Sequence, residues 1–467
     1  MNDQPWWIAD YIGQTTINPL GFTMVLLCGC SMIGLPRRYA VWPMIVIACL
    51  VAPAQRIAIP LLNFDLLRIM VLFGWIRVLF RGETAVYSWN SLDRLFLGYV
   101  ASNVAIFTLQ RATFPDLMNR LGYAYDACGM YFLFRCLVRD WRDFEYMITG
   151  FTLISIPIAV VFIVENQTGR NAFAFFGGVP EITVVRDNRM RCQGAFAHPI
   201  LAGCFWASLL PLMAAKLWSD QRSRILAIIS SISAIVVIIC CASSTPIGAA
   251  INAVMAACLY PWRRYMRVIR WCILGILVLL HLLMKAPVWH LLARVQMVGG
   301  STAWHRYNVI DQAVRHFNEW WLLGARSTVN WGVIDITNHF ILEGVRGGLL
   351  TMALLIAAIV VAFANVGRII HAVAGNRRRT AMAWALGVSL WIHCVNFIGV
   401  SYFGQIIVIW YLLLACVASL SPLARCAVSE PDRRARSVGA VQLTVMRTVG
   451  SAASVRQSLH SPLSCDD

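Results

Sequence analysis

Thirteen apolar runs, each long enough to cross a lipid bilayer, leave few architectures open to this chain. They lie near 18–35, 40–58, 64–80, 94–110, 120–138, 144–164, 198–217, 224–242, 245–261, 268–285, 347–367, 381–398 and 402–420. A hydrocarbon core of ~30 Å takes roughly 17 to 25 apolar residues per helical crossing. Hydrophobic residues make up 59% of the chain and charged residues 13%, with a mean hydropathy of +0.67. Soluble domains of this length fall outside those values. The expectation is an all-α, polytopic integral membrane protein with about thirteen transmembrane helices, or twelve to fourteen.

The arginines supply the topology. Short cytoplasmic loops are enriched in Lys and Arg. The basic ends here are Arg37/Arg38, Arg77/Arg81/Arg94, Arg135/Arg139/Arg142, Lys216/Arg222/Arg224, Arg263/Arg264/Arg267/Arg270, Arg368/Arg377/Arg378/Arg379 and the tail from Arg425. They fall at alternate loops. That alternation predicts a periplasmic N-terminus, a cytoplasmic C-terminus, and two long loops on the same outer face. The net charge of +17 is then mostly a topology signal, and nucleic acid is not an expected partner. At the start of the chain Trp6/Trp7 suit an aromatic anchor, and the absence of a basic start argues against a cleavable signal.

These rules divide the chain into N-terminal membrane helices (1–165), a first periplasmic loop (166–197), central membrane helices (198–285), a large periplasmic loop (286–345), C-terminal membrane helices (346–420) and a tail (421–467). The tail is rich in Ser and Arg, lacks an apolar period and reads as disordered. Most of the fifteen cysteines lie inside apolar runs, where they serve as small packing residues. Only Cys192 falls in a long outer loop, so neither a disulfide framework nor a metal site is expected.

Chemistry concentrates in the two outer loops. The first ends in Arg186-Asp187-Asn188-Arg189-Met190-Arg191-Cys192-Gln193-Gly194-Ala195-Phe196-Ala197-His198-Pro199 and runs straight into the next span. Guanidinium forks pair bidentately with phosphate oxygens, so Arg189 and Arg191 are candidate diphosphate ligands. Contact with lipid headgroups is the plainer reading of the same charges. The second loop carries Arg294, Arg306, Arg315, Arg326 and His339 among Trp289, Trp304, Trp320, Trp321 and Trp331. Such a density of cations and aromatics suits an anionic or sugar-like ligand. Apolar residues at helical spacing from Trp304 to Trp321 predict an amphipathic helix lying on the membrane, with Arg306 near its start. A neutral histidine near arginines is a candidate general base, which singles out His339, with His305, His316 and His198 behind it. Asn338, Glu343 and Arg346 flank it at the entry to the next span. Between spans eight and nine, Thr245 and Pro246 predict a helix cap and first helical position.

The same sequence bears on two other classes. Gly-rich phosphate loops, paired-cysteine metal spacings and nucleophile elbows are absent from the sequence. The spans hold few acids, Asp65 and Asp126 being the notable ones, which weakens a proton- or sodium-coupled transporter.

The two outer loops together resemble the O-antigen ligase and O-antigen polymerase family of bacterial membrane proteins. The matching residues are Arg191-x-x-Gly194-x-Phe196-x-His198-Pro199 entering a span, Arg306 followed by Ala313 and Gly324, and Asn338-His339 through Glu343 to Gly347-Gly348. The resemblance covers roughly 186–420. It implies a GT-C-like glycosyltransferase of the inner membrane that polymerises or ligates saccharides, inverts the anomeric centre and uses no cofactor or metal. Its donor would be an undecaprenyl-diphosphate-linked oligosaccharide and its acceptor a glycan or a lipid core, with membrane lipids and polysaccharide assembly proteins as further partners. Arg191 and Arg306 would hold the diphosphate, and His339 would activate the acceptor hydroxyl. Arg189, Asn338, Glu343 and Arg346 complete the expected substrate-binding set. The alternative expectation is a transporter or flippase of the same lipid-linked sugars.

Overall fold

A computed structural model describes residues 15–59, 62–84, 88–294 and 302–421. The Trp6/Trp7 anchor and the tail fall outside these residues. The chain is mostly helical. Helices α1 (Pro19–Gly34) and α2 (Trp42–Leu50) lead into a hairpin of β1 (Arg56–Ile59) and β2 (Leu62–Asp65). Four long helices follow: α3 (Leu66–Phe80), α4 (Ser91–Arg111), α5 (Phe114–Leu137) and α6 (Trp141–Thr168). A second hairpin, β3 (Val184–Arg186) and β4 (Arg189–Arg191), precedes α7 (Pro199–Ala215), α8 (Gln221–Cys240), α9 (Ser244–Cys258) and α10 (Met266–Leu283). The large loop contributes α11 (Thr302–Arg315) and α12 (Phe317–Trp320). The chain closes with α13 (His339–Ala372), α14 (Arg377–Gly399) and α15 (Ile406–Ser421).

Seven helices among the described residues are long and apolar enough to cross a membrane: α4, α6, α7, α8, α10, α13 and α14, α7 and α10 being counted with a flanking 3-10 turn. Helices α1, α9 and α15 are apolar but shorter. The run at 40–58 does not form one helix. Its helix α2 spans 9 residues, about 14 Å at 1.5 Å per residue, less than half the hydrocarbon thickness. Pro53 and the β1–β2 hairpin follow and take the backbone away from helical geometry.

Helix α13 has 34 residues, about 51 Å if straight and more than one crossing needs. It is not straight. Gly347 (φ −134°, ψ 16°) and Gly348 (φ 68°, ψ −179°) leave helical geometry and divide it into a short piece carrying His339 and a long apolar piece. The second of these conformations is open only to glycine. A side chain at Gly348 would also collide with the Leu322 carbonyl. The broken turn is satisfied from the large loop: Leu349 N–H donates to Trp321 O at 2.7 Å, and Ala325 N–H to Val345 O at 2.8 Å.

The two ends of the bundle differ. At one end, where α6 begins, Arg37 pairs with Asp143 at 2.8 Å and Arg378 with Glu145 at 2.8 Å, while Lys216 Nζ donates to Thr149 Oγ1 at 2.5 Å. The arginine-rich loops meet here. At the other end, 28 residues of α6 away, lie both polar loops.

Candidate functional site

Arg191 reaches its place through a tight hairpin. Asp187 (φ 52°) and Asn188 (φ 58°) occupy left-handed positions, the pair of conformations that a two-residue hairpin turn demands and that Asp and Asn tolerate. Alternation along β4 places Arg189 and Arg191 on one face. Arg189 sits at the hairpin tip and is exposed, whereas Arg191 is 8% exposed. Only the second is drawn into the protein, because the strap after it is bound by a buried acid. Glu165, in the last turn of α6, is 0% exposed. Its carboxylate accepts from Gln193 N at 3.0 Å, Gly194 N at 3.1 Å and Thr183 Oγ1 at 3.2 Å.

The strap then meets the turn between α8 and α9. Cys192 N–H donates to Cys240 O at 3.0 Å. From the other side Arg306, in the first turns of α11, donates from Nη2 to Thr245 Oγ1 at 2.8 Å. The helix cap therefore falls two residues earlier than the sequence suggested. Ser243 is the N-cap of α9, makes no side-chain cap bond, and leaves Thr245 to Arg306. The positive end of the α9 dipole adds to the positive potential here. Among the described residues neither Arg191 nor Arg306 has an acidic ion-pair partner, and Arg191 Nε is buried with no hydrogen-bond partner. Burial holds both guanidiniums below the usual arginine value, and the charge of Arg186 acts on Arg191 in the same direction. Two cations that lack anions bracket one turn.

The turn after α14 joins this group to His339. A Cβ on Gly399 would stand 3.0 Å from Thr245 Cγ2 and 3.4 Å from Arg306 Nε, so the end of α14 lies directly against this pair. Asn338 caps α13 through Ile341 N at 3.1 Å, and its Nδ2 donates to Ile398 O at 3.4 Å. His339 accepts the Tyr402 N–H on Nδ1 at 3.3 Å and packs against the rings of Phe397 and Tyr402. With Nδ1 an acceptor, Nε2 carries the proton of the neutral ring. Gln405 closes the arrangement by donating to Ala195 O of the strap at 2.6 Å.

Asn338 and Glu343, which flank His339 in the sequence, make their side-chain hydrogen bonds elsewhere. Asn338 is engaged as a cap, and the Glu343 Oε2 accepts from Tyr99 Oη and Asn103 Nδ2, each at 2.8 Å. Glu343 is 1% exposed and faces α4, away from the arginine pair. Arg346 is half-buried, one turn further along α13. The remaining histidines serve structure. His198 caps α7 by accepting Ile200 N at 3.2 Å, His305 bonds Asp335 O at 3.0 Å, and His316 bonds Glu319 at 2.7 Å. Burial, then Arg191 and Arg186, lower the His198 pKa to about 4, so its ring is neutral at ordinary pH.

The tryptophans divide in the same way. Trp320 and Trp331 are buried with Val309, Val333, Ile336 and Val345 in a small core of the loop itself. Their indole N–H groups donate to Ala313 O and Glu319 Oε2, both at 2.8 Å. Two of the five tryptophans that suggested a ligand surface are thus packing, while Trp304 and Trp321 remain exposed. Among the described residues no group of three or more His, Cys, Asp or Glu side chains is arranged to hold a metal ion.

Sequence reasoning missed Glu165, Gln405 and Tyr402. A buried acid three residues from the end of an apolar helix was a usable signal for the first; the other two are visible only through contacts remote in sequence. No protein-family model matches the chain, and no curated protein matches it.

Proposed function

We propose that this chain is a glycosyltransferase of the bacterial inner membrane, similar to the O-antigen ligases and polymerases, with about thirteen crossings in a GT-C-like arrangement. The observation that carries the reading is the pair of guanidiniums without carboxylates, Arg191 and Arg306, bracketing the α8–α9 turn. A saccharide on an undecaprenyl diphosphate would place its diphosphate between them. As the bond from the anomeric carbon to the diphosphate oxygen breaks, charge grows on the leaving group, and preorganised guanidiniums stabilise it without reorganising. The acceptor hydroxyl attacks from the opposite face and inverts the centre.

His339 is the proposed acceptor-side base. Its basic atom is Nδ1, so the hydroxyl has to displace the long 3.3 Å contact from Tyr402 N–H before it gives up its proton. The N-terminus and the two polar loops are assigned to the periplasm, the C-terminus to the cytoplasm.

The test is transfer by purified protein in detergent, supplied with lipid-diphosphate saccharide and acceptor. Lengthened or transferred glycan is the expected result. Translocation of the donor across sealed vesicles with no transfer in detergent would replace the transferase by a flippase.

A further inference from the structure

The ends of α4 and α5 that lie nearest the large loop hold a second group of cations, apart from Arg191 and Arg306; of the residues in it, only Arg346 belongs to the substrate-binding set expected from the sequence. Asn103, Phe107 and Gln110 stand at i, i+4 and i+7 on α4 and so share one face. Arg120 of α5 lies against that face. Its Nη1 donates to Asn103 Oδ1 at 3.3 Å, and its guanidinium carbon sits 3.9 Å from the Phe107 ring centre. Arg111 approaches the same ring at 4.9 Å. Arg326 of the large loop donates from Nε to Gln110 O at 2.8 Å.

This group is unfinished. Arg120 is 7% exposed, and its Nε has no hydrogen-bond partner. Gln110 is 8% exposed, and both its Oε1 and Nε2 lack partners. Buried polar atoms of native proteins are nearly always bonded, so an orphaned amide on the helix face that an orphaned guanidinium nitrogen packs against calls for an explanation. The acids nearby do not supply one. Glu343 is near enough for its charge to act on Arg120, but its Oε2 is bonded by Tyr99 and Asn103, and among the described residues no carboxylate lies within ion-pair distance of Arg120. Asp116 reaches Arg111 only at 4.0 Å. Arg346, projecting from α13, lies close enough for its charge to act on Arg120 and has no ion pair among the described residues. A buried charge of this kind is costly until an opposite charge meets it.

We infer that Arg120, Gln110 and Arg346 form a second oxyanion site, which takes a phosphate group. Two guanidinium forks and one amide N–H match the oxygens of a tetrahedral anion; a cation would be repelled, and a neutral sugar would leave the charge uncompensated. The phosphate comes either from a lipid headgroup or from a soluble phosphate ester. This site is independent of the one bracketed by Arg191 and Arg306.

The experiment uses the full chain, delipidated in a neutral detergent, in an Arg191→Gln/Arg306→Gln background that silences the first site. Inorganic phosphate and short-chain phosphatidylglycerol are titrated separately and binding is read by calorimetry, with diacylglycerol as the phosphate-free control. The expected result is saturable binding of at least one phosphate probe and none of diacylglycerol. Binding of inorganic phosphate assigns a soluble ester, and binding of phosphatidylglycerol alone assigns a lipid headgroup. Arg346→Gln, which alters a half-buried side chain, should weaken binding about tenfold or more, and Arg120→Gln should do the same wherever it folds. The inference is overturned if neither probe binds, or if Arg346→Gln leaves the affinity unchanged.

Discussion

Glu165 receives the backbone N–H of Gly194 at 3.1 Å, three residues beyond Arg191. A carboxylate buried at the end of a membrane helix is thereby committed to shaping the strap that carries a candidate phosphate ligand. Removing it leaves the N–H groups of Gln193 and Gly194 and the hydroxyl of Thr183 without an acceptor. An unsatisfied buried donor costs about 1 to 3 kcal/mol. Glu165→Ala should lower the unfolding midpoint and impair transfer, with Glu165→Gln intermediate because one amide oxygen still accepts. Equal stability of all three forms, measured by thermal unfolding in detergent, would show the strap to be held by other contacts.

Arg191 and Arg306 are expected to fail as lysines nearly as badly as alanines. Lysine keeps the charge but loses the planar fork. Loss of one such group from a desolvated site removes about 2 to 4 kcal/mol of transition-state stabilisation, roughly 30- to 1000-fold in rate. Initial rates of glycan transfer at equal protein level check this. Near-normal output from either alanine variant would remove that residue from the site.

For His339 the two substitutions to compare are alanine and glutamine. Loss of a general base lowers rates about 100- to 10,000-fold. His339→Ala should retain donor binding and lose transfer in that range, and His339→Gln should do no better. Glutamine accepts the Tyr402 N–H but cannot take a proton. An active Gln variant would reduce position 339 to a positioning residue.

Acid should loosen the entrance to α7. His198 titrates near 4 in the folded protein and near ~6.5 when unfolded. A depressed histidine contributes stability that is fully present above the unfolded value and is lost as pH falls from about 6.5 to 4, because the unfolded state binds the extra proton. His198→Asn keeps a capping side chain without a titrating ring. Unfolding midpoints measured across this window should fall less steeply in His198→Asn than in the wild type, and parallel curves would contradict the assignment.

The orientation is checked by labelling. In a Cys-depleted background, Val329→Cys in the large loop should react with an impermeant thiol reagent from outside, and Gly375→Cys between α13 and α14 should not. Reaction at position 375 in intact spheroplasts would invert the arrangement.

Hydropathy made the membrane class legible, because apolar runs report burial in lipid directly. It said little about how the polar segments fold. The β3–β4 hairpin escaped notice although Asp187-Asn188 is a turn signal, since three-residue strands carry almost no alternation to read. The Gly347-Gly348 pair was taken as a motif and not as the break in α13 that its conformation makes it. Trp320 and Trp331 read as ligand-facing because composition cannot tell a packed indole from an exposed one. The packing of Arg120 against Asn103 and Phe107 depends on two helices meeting, and no local pattern encodes that.

The break in α13 also separates two demands on one helix. Membranes differ in thickness, and an apolar helix meets a mismatch by tilting. The long half, from Leu349 onward, packs against α4 and α14 and keeps the direction they give it, while the short half takes its direction from Trp321, Leu322 and Ala325 of the large loop. His339 and Asn338 are thus placed by the large loop and by Ile398, Phe397 and Tyr402 at and just beyond the end of α14, and the axis of the apolar half does not fix them.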